Sequence, residues 1–182
     1  MNSMRGQLLK CSQTGEHEEI TGFLVTKLAM QFEQLNLPYF IPKQVLVKPP
    51  HKESGYLPDV LILNRANLAA EPLWKKSSTV TQGASIPLVI EVVSTNWRDD
   101  YLLKVADYEE MGVPEYWIVD YLGLGGRRFI GNPKQPTISV YSLVEGEYQV
   151  SQFRGADCIE SPAFPELKLT AEQIFRVGAL PE

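Results

Sequence analysis

The stretch from Ile86 to Asp120 constrains the fold of this chain more than any other. Ile86-Pro87-Leu88-Val89-Ile90-Glu91-Val92-Val93 is a short apolar run rich in β-branched residues, the pattern of a central strand covered on both faces. The spacing predicts a helix over Asp99 to Met111, with Ser94, Thr95 or Asn96 available near its start and Gly112 followed by Pro114 at its stop. Tyr116-Trp117-Ile118-Val119 reads as another buried strand, ending at Asp120. Strand, helix and strand make a βαβ crossover, so the two strands are expected to be parallel.

The rest of the chain builds around that unit. From Gly15 to Leu35, Ile20, Leu24, Leu28, Phe32 and Leu35 recur at helical spacing and form one buried stripe. Thr14 is placed to cap this helix, Glu16, Glu18 and Glu19 suit the dipole of its first turns, and Asn36-Leu37-Pro38 ends it. His17 continues the inward stripe. Tyr39 to Lys48 and Tyr56 to Leu63 are β-like runs separated by Pro49 to Gly55, which suggests an antiparallel pair. Asn64 to Ser85 is polar and punctuated, and reads as a long loop of the functional or mobile kind. Ile138 to Val144 and Tyr148 to Phe153 form a hairpin around Glu145-Gly146, and Thr170-Ala171-Glu172-Gln173 is a capping box opening a short last helix. The order αβββαβ, then a β-hairpin and a short helix, defines an α/β core with a mixed central sheet flanked by helices.

With 182 residues, the expectation is a single domain over 1–182. A hydrophobic fraction of 44% rules out global disorder. Seventeen Lys and Arg against 22 Asp and Glu leave a net charge of -5, so any contact with a polyanion must rest on a local patch. Cys11 and Cys158 stand far apart without the neighbours of a zinc site and read as inert thiols. No run approaches the ~18 apolar residues of a membrane span, so a cytoplasmic protein without membrane attachment is expected.

Three charged residues stand in apolar surroundings: Asp59 in Tyr-Leu-Pro-Asp-Val-Leu-Ile-Leu, Glu91 in Leu-Val-Ile-Glu-Val-Val, and Lys104 in Tyr-Leu-Leu-Lys-Val-Ala. An ionised carboxylate on a core strand is costly unless a cation or several hydrogen bonds compensate it. Two of them on neighbouring strands suit a hard cation such as Mg²⁺, which takes oxygen ligands and keeps several waters. A nearby lysine can orient or deprotonate an attacking water and offset phosphate charge, so the set points to phosphodiester hydrolysis.

Pro58-Asp59, Glu91-Val92-Val93-Ser94, Asp99 or Asp100 with Lys104 and Tyr108, and Gly112-Val113-Pro114-Glu115-Tyr116-Trp117-Ile118-Val119-Asp120 together resemble the Uma-two family of restriction endonuclease-like proteins, a branch of the PD-(D/E)XK nuclease superfamily. The close match covers roughly residues 56 to 121, with a looser likeness at the first helix and at Pro165-Glu166-Leu167. The resemblance implies a restriction endonuclease-like fold and a Mg²⁺- or Mn²⁺-dependent endonuclease acting on DNA, working as a homodimer. It also implies that Asp59, Glu91 and the backbone carbonyl of Val92 bind the metal and that Lys104 is the catalytic lysine. His17, Glu18 and Asp100 are further candidates for the catalytic set. The third position of Glu91-Val92-Val93 is Val where the superfamily signature has Lys, and the likeness implies that the lysine has moved to the following helix as Lys104.

Simpler readings stand beside these. Asp59 after Pro58 is also a common turn or strand-edge arrangement. Glu91 and Lys104 make an equally good buried salt bridge without metal, and Lys104 can pair with Asp100 or Asp107 at helical spacing. Tyr108, Tyr116 and Trp117 are expected to pack the core. Lys75 and Lys76 are the candidate nucleic-acid contacts, with Arg127 and Arg128 also able to touch phosphates, although exposed basic pairs are often only solvated surface. The alternative functions are a catalytically inactive nuclease-fold module that binds nucleic acid or protein, and a hydrolase of a small phosphate ester.

Overall fold

The computed structural model describes residues 13–178. The N-terminal cysteine, Cys11, lies outside them, and Cys158 is an exposed free thiol. Helix α1 spans Gly15–Gln34, opened by the Thr14 hydroxyl, which accepts a hydrogen bond from the His17 amide at 3.3 Å. His17, Ile20, Leu24, Leu28 and Phe32 form its buried stripe. Leu35 departs from the expected stripe: it is the C-cap and 41% exposed, because the helix has already ended there.

The strands are β1 (Tyr39–Phe40), β2 (Leu46–Val47), β3 (Val60–Asn64), β4 (Thr79–Val80), β5 (Leu88–Val92), β6 (Glu115–Asp120), β7 (Thr137–Val144) and β8 (Glu147–Phe153). Six of them form one mixed sheet in the order β1-β3-β5-β6-β7-β8. The β5 and β6 pair is parallel, as the crossover requires, and the other pairs in this sheet are antiparallel. The chain therefore runs αβββαβ through its core and adds the β7–β8 hairpin. At the hairpin turn both Glu145 (φ 52°) and Gly146 (φ 90°) adopt the left-handed backbone that two-residue turns of this kind demand.

Two expected elements take a different form. Tyr39 to Lys48 is not one strand, because the chain leaves the sheet at Pro42, which has no amide proton to give to a ladder, and re-forms as β2 in a small parallel pair with β4. Asn64 to Ser85 is not an open loop. It holds a 3₁₀ turn at Leu68–Ala70, a short helix α2 (Trp74–Ser77), β4, and a second 3₁₀ turn at Gly83–Ser85. Buried Glu71 organises it, accepting hydrogen bonds from the Thr81 amide (2.8 Å), the Thr81 hydroxyl (3.0 Å) and the Gln82 amide (3.1 Å).

The crossover between β5 and β6 begins as a π-helix over Asp99–Lys104 and continues as α3 (Val105–Met111). Gly112 (φ 74°) closes it, with the Val113 amide bonded back to the Tyr108 carbonyl at 3.0 Å. A further turn, α4 (Arg127–Ile130), lies between β6 and β7, and α5 (Ala171–Phe175) opens on the expected capping box at Thr170 and Gln173. Side chains alternate across the sheet. Val60, Ile62, Leu88, Ile90, Val92 and Trp117 pack with α1 and α5, while Leu61, Leu63, Val89, Val93, Tyr116 and Ile118 pack with Tyr108 and Met111 of α3. That parity puts Glu91, between Ile90 and Val92, on the α3 side. Among the described residues no helix is long and apolar enough to cross a membrane.

Candidate active site

Strand register brings the first pair together. Val60 on β3 lies opposite Ile90 on β5, so Asp59, just before β3, falls beside the end of β5. Its Oδ2 accepts a hydrogen bond from the Val92 amide at 2.8 Å, and its Oδ1 accepts one from the Gln13 side chain at 3.0 Å. From the other side of the sheet, α1 delivers His17, whose Nε2 lies 3.1 Å from the Val92 carbonyl oxygen and 3.3 Å from Asp59 Oδ2. Burial disfavours the imidazolium, but Asp59 and the Val92 carbonyl outweigh that, and the pKa of His17 is raised. His17 thus ties α1 to the end of β5.

The second pair comes from the crossover. Glu91 is 3% exposed, and its Oε1 lies 3.1 Å from the Lys104 ammonium and accepts the Tyr108 hydroxyl proton at 3.2 Å. Lys104 also reaches Asp100 Oδ1 at 2.8 Å, one helical turn back, and sits over the Tyr56 ring at 5.7 Å from its centroid. The π-helical turn that carries both residues widens the backbone here, a distortion often found where a helix presents side chains to a site.

Burial pushes the Glu91 carboxyl up to about 8, an effect that Lys104 only partly offsets and that the charges of Asp59 and Asp100 reinforce. Asp100 is raised for the same first reason, burial. Burial also works against the Lys104 ammonium, yet Glu91 and Asp100 more than reverse it, so the amine is held above its usual range. Two carboxyl groups thus share one ammonium, and the charge of Asp59 acts on both through a poorly solvated region.

The donor set suits a hard divalent cation. Asp59, Glu91 and the Val92 carbonyl offer oxygen, the donor type that such ions take. Among the described residues no three His, Cys, Asp or Glu side chains converge as a complete cage. Magnesium does not require one, since it commonly takes one or two carboxylates and completes its shell with water and substrate.

The remaining candidates lie as follows. Glu18, next to His17 on α1, has a side chain 62% exposed, with its carboxylate 3.9 Å from His17 Nδ1. Lys75 and Lys76 are exposed on α2, which packs against β4. Of the two partners open to Lys104, the helix supplies Asp100. Asp107 instead accepts hydrogen bonds from Lys52 at 2.5 Å and from the Tyr56 hydroxyl. Lys52, Tyr56 and Asp107 form a support for the site that the sequence did not reveal. Tyr56 is clamped by Asp107 beneath Lys104, and its ring meets that of Tyr108 edge-on at 5.8 Å. Only the placement of Tyr56 three residues before Asp59 hinted at it.

The sequence model of the Uma2 family, described as a putative restriction endonuclease, matches residues 3–172 of this chain. A crystal structure of a putative nuclease belonging to DUF820 from Anabaena variabilis ATCC 29413 is similar in fold, with a TM-score of 0.63 at 15% sequence identity, over 91% of this chain and 83% of that one. No curated protein matches.

Proposed function

Since the chain belongs to the Uma2 family of putative restriction endonucleases, we propose that it is a divalent-metal-dependent endonuclease that hydrolyses phosphodiester bonds of DNA. The observation that carries this reading is the Lys104 ammonium 3.1 Å from Glu91, delivered by the helix that follows the strand, where the sequence has Val93 in place of a strand lysine.

Asp59, Glu91 and the Val92 carbonyl would hold Mg²⁺ or Mn²⁺. When bound, such an ion supplies charge neutralisation and Lewis acidity at a phosphate group. Lys104, whose ammonium Glu91 and Asp100 favour against the effect of burial, would orient the attacking water and offset negative charge. Asp100 positions Lys104 through its 2.8 Å contact. His17 holds the Val92 carbonyl and Asp59 in register, and Glu18 tunes His17 from the solvent side. Lys75 and Lys76 supply phosphate contacts away from the chemistry. On a duplex it would act as a homodimer, one site per strand, and its place would be the cytoplasm.

The test is a plasmid cleavage assay with Mg²⁺ and with Mn²⁺ on the parent, Asp59→Ala and Lys104→Ala. Nicking by the parent that both substitutions abolish is expected. Nicking that survives both would overturn the assignment. The rival reading, a non-catalytic module, draws on the fact that Lys104 already pairs with Glu91 and Asp100. Thermal melting separates the two, because an ion bound to the folded state raises the Tm of the parent and not that of Asp59→Ala.

A further inference from the structure

The connection from Tyr121 to Pro136 carries Arg127, Arg128 and Lys134 and no acidic residue, in a chain whose net charge is -5. No Asp or Glu occurs between Asp120 and Glu145. Such segregation of positive charge is a local departure from the molecule's overall sign, and the fold gives it a definite place. The connection leaves the C-terminal end of β6, beside the C-terminal end of its parallel neighbour β5, which carries Glu91 and Val92. In open α/β sheets that end of the parallel strands is where ligands are met.

Packing joins this connection to the start of the crossover helix. Trp97 lies against Phe129 (centroids 6.2 Å apart) and Tyr101 (6.3 Å), while Tyr101 and Phe129 stack at 4.7 Å. Gly126 permits the approach, since a Cβ there would stand 3.0 Å from the Trp97 ring. Asp120 holds the turn by accepting the Leu124 and Gly125 amides at 2.8 and 2.7 Å. The guanidinium of Arg98 lies over Trp97 at 4.6 Å, and that of Arg128 over Phe129 at 4.5 Å. Arg98, Arg127, Arg128 and Lys134 are all exposed.

Two of these arginines are therefore not free surface cations. Each has its guanidinium over an aromatic ring that is itself packed into a cluster, so the fork is partly held in place and loses less freedom on forming paired hydrogen bonds. A fork of this kind matches a phosphate bidentately. Arg98 stands two residues before Asp100 on the helix that goes on to Lys104, so the aromatic cluster and the candidate catalytic groups share one element.

We infer that Arg98 and Arg128, seated over Trp97 and Phe129, form with Arg127 the surface that grips the phosphate backbone of a DNA strand and leads it to the Asp59–Glu91–Lys104 site. The inference rests on reading that site as one for phosphodiesters. Lys134, whose ammonium donates to the Leu124 carbonyl at 3.0 Å, both closes the turn and extends the positive edge.

The experiment is fluorescence anisotropy of the full chain with a labelled DNA duplex and with one of its single strands, without divalent ion, over a salt series. The variants are R98Q/R127Q/R128Q and R98K/R127K/R128K. The parent is expected to bind with a steep salt dependence. The glutamine triple should bind about tenfold more weakly at low salt, with the slope of log K against log salt reduced by about 1 for each phosphate left without its arginine. The lysine triple keeps the charge and should keep most of the slope, which guards against misfolding as the cause. Which of the two DNAs shows the larger loss identifies the form of strand gripped. A glutamine triple that melts like the parent and binds with the parent's slope overturns the inference, as does a parent that binds neither DNA or that binds polyglutamate as tightly. If the parent nicks plasmid in Mg²⁺ while the glutamine triple binds DNA unchanged, the arginine surface fails and the nuclease reading stands. If the triple loses binding while the parent never nicks, the surface stands and the hydrolytic reading fails.

Discussion

Glu91 is the residue on which the electrostatics of the site turn. Its carboxyl is buried at 3% exposure, burial pushes it up to about 8, and Lys104 is a cation that faces it at 3.1 Å. Removing one partner of such a pair strands the other, which in buried pairs costs about 3 kcal/mol. Lys104→Ala should therefore destabilise the metal-free protein more at pH 9 than at pH 6, because well below about pH 8 Glu91 holds a proton and has no charge to strand; urea denaturation at the two pH values checks this. The three central charges were legible as residues, since Asp59, Glu91 and Lys104 each interrupt an apolar run and a desolvated charge demands a reason. Tyr56 and Asp107 were not, because their bond links positions 51 residues apart and neither interrupts a pattern.

At the scale of the element, α1 depends on Thr14 both for its cap and for the start of the turn that carries His17. Thr14→Ala should lower stability by about 1 kcal/mol, read as a drop in Tm. A stiffer constraint lies between two loops. A Cβ on Gly83 would fall 2.3 Å from the Gly112 carbonyl carbon, against backbone that cannot step aside. Gly83→Ala should therefore cost at least ~2 kcal/mol in urea denaturation, more than an ordinary surface substitution. Helix α1, the crossover and the β7–β8 hairpin were readable because caps, periodicity and turn residues are local signals. The division of Tyr39 to Lys48 between two sheets, and the folding of Asn64 to Ser85 around Glu71, were not. Both depend on partners, β4 for one and Thr81 and Gln82 for the other, that no short window contains.

Across the whole molecule four buried acids point one way. Burial raises Glu91, Asp100, Glu115 and Asp120, and Asp59 with the Val92 carbonyl raises His17 against the opposing effect of burial. The folded state then keeps protons that the unfolded chain has released, so stability falls as pH rises through that interval. For Glu91 the interval runs from the ordinary 4.5 to about 8. The metal-free protein should thus lose stability between about pH 5 and pH 8, and Glu91→Gln should show a shallower decline in denaturation measured across that range. Local chemistry in the chain settled the strand–helix–strand crossover, the capped first helix, the hairpin and the identity of the charges that need compensation, since each follows from neighbours within a few residues. Which charges meet was left to the folded arrangement. Asp59 reaches the Val92 amide, 33 residues on, through strand register, and His17 reaches the Val92 carbonyl, 75 residues on, through the packing of α1 on the sheet. The same crossover carries Lys104 back over Glu91. Contacts across such separations are set by how layers stack, and layer stacking is a property of the whole core that no segment carries alone.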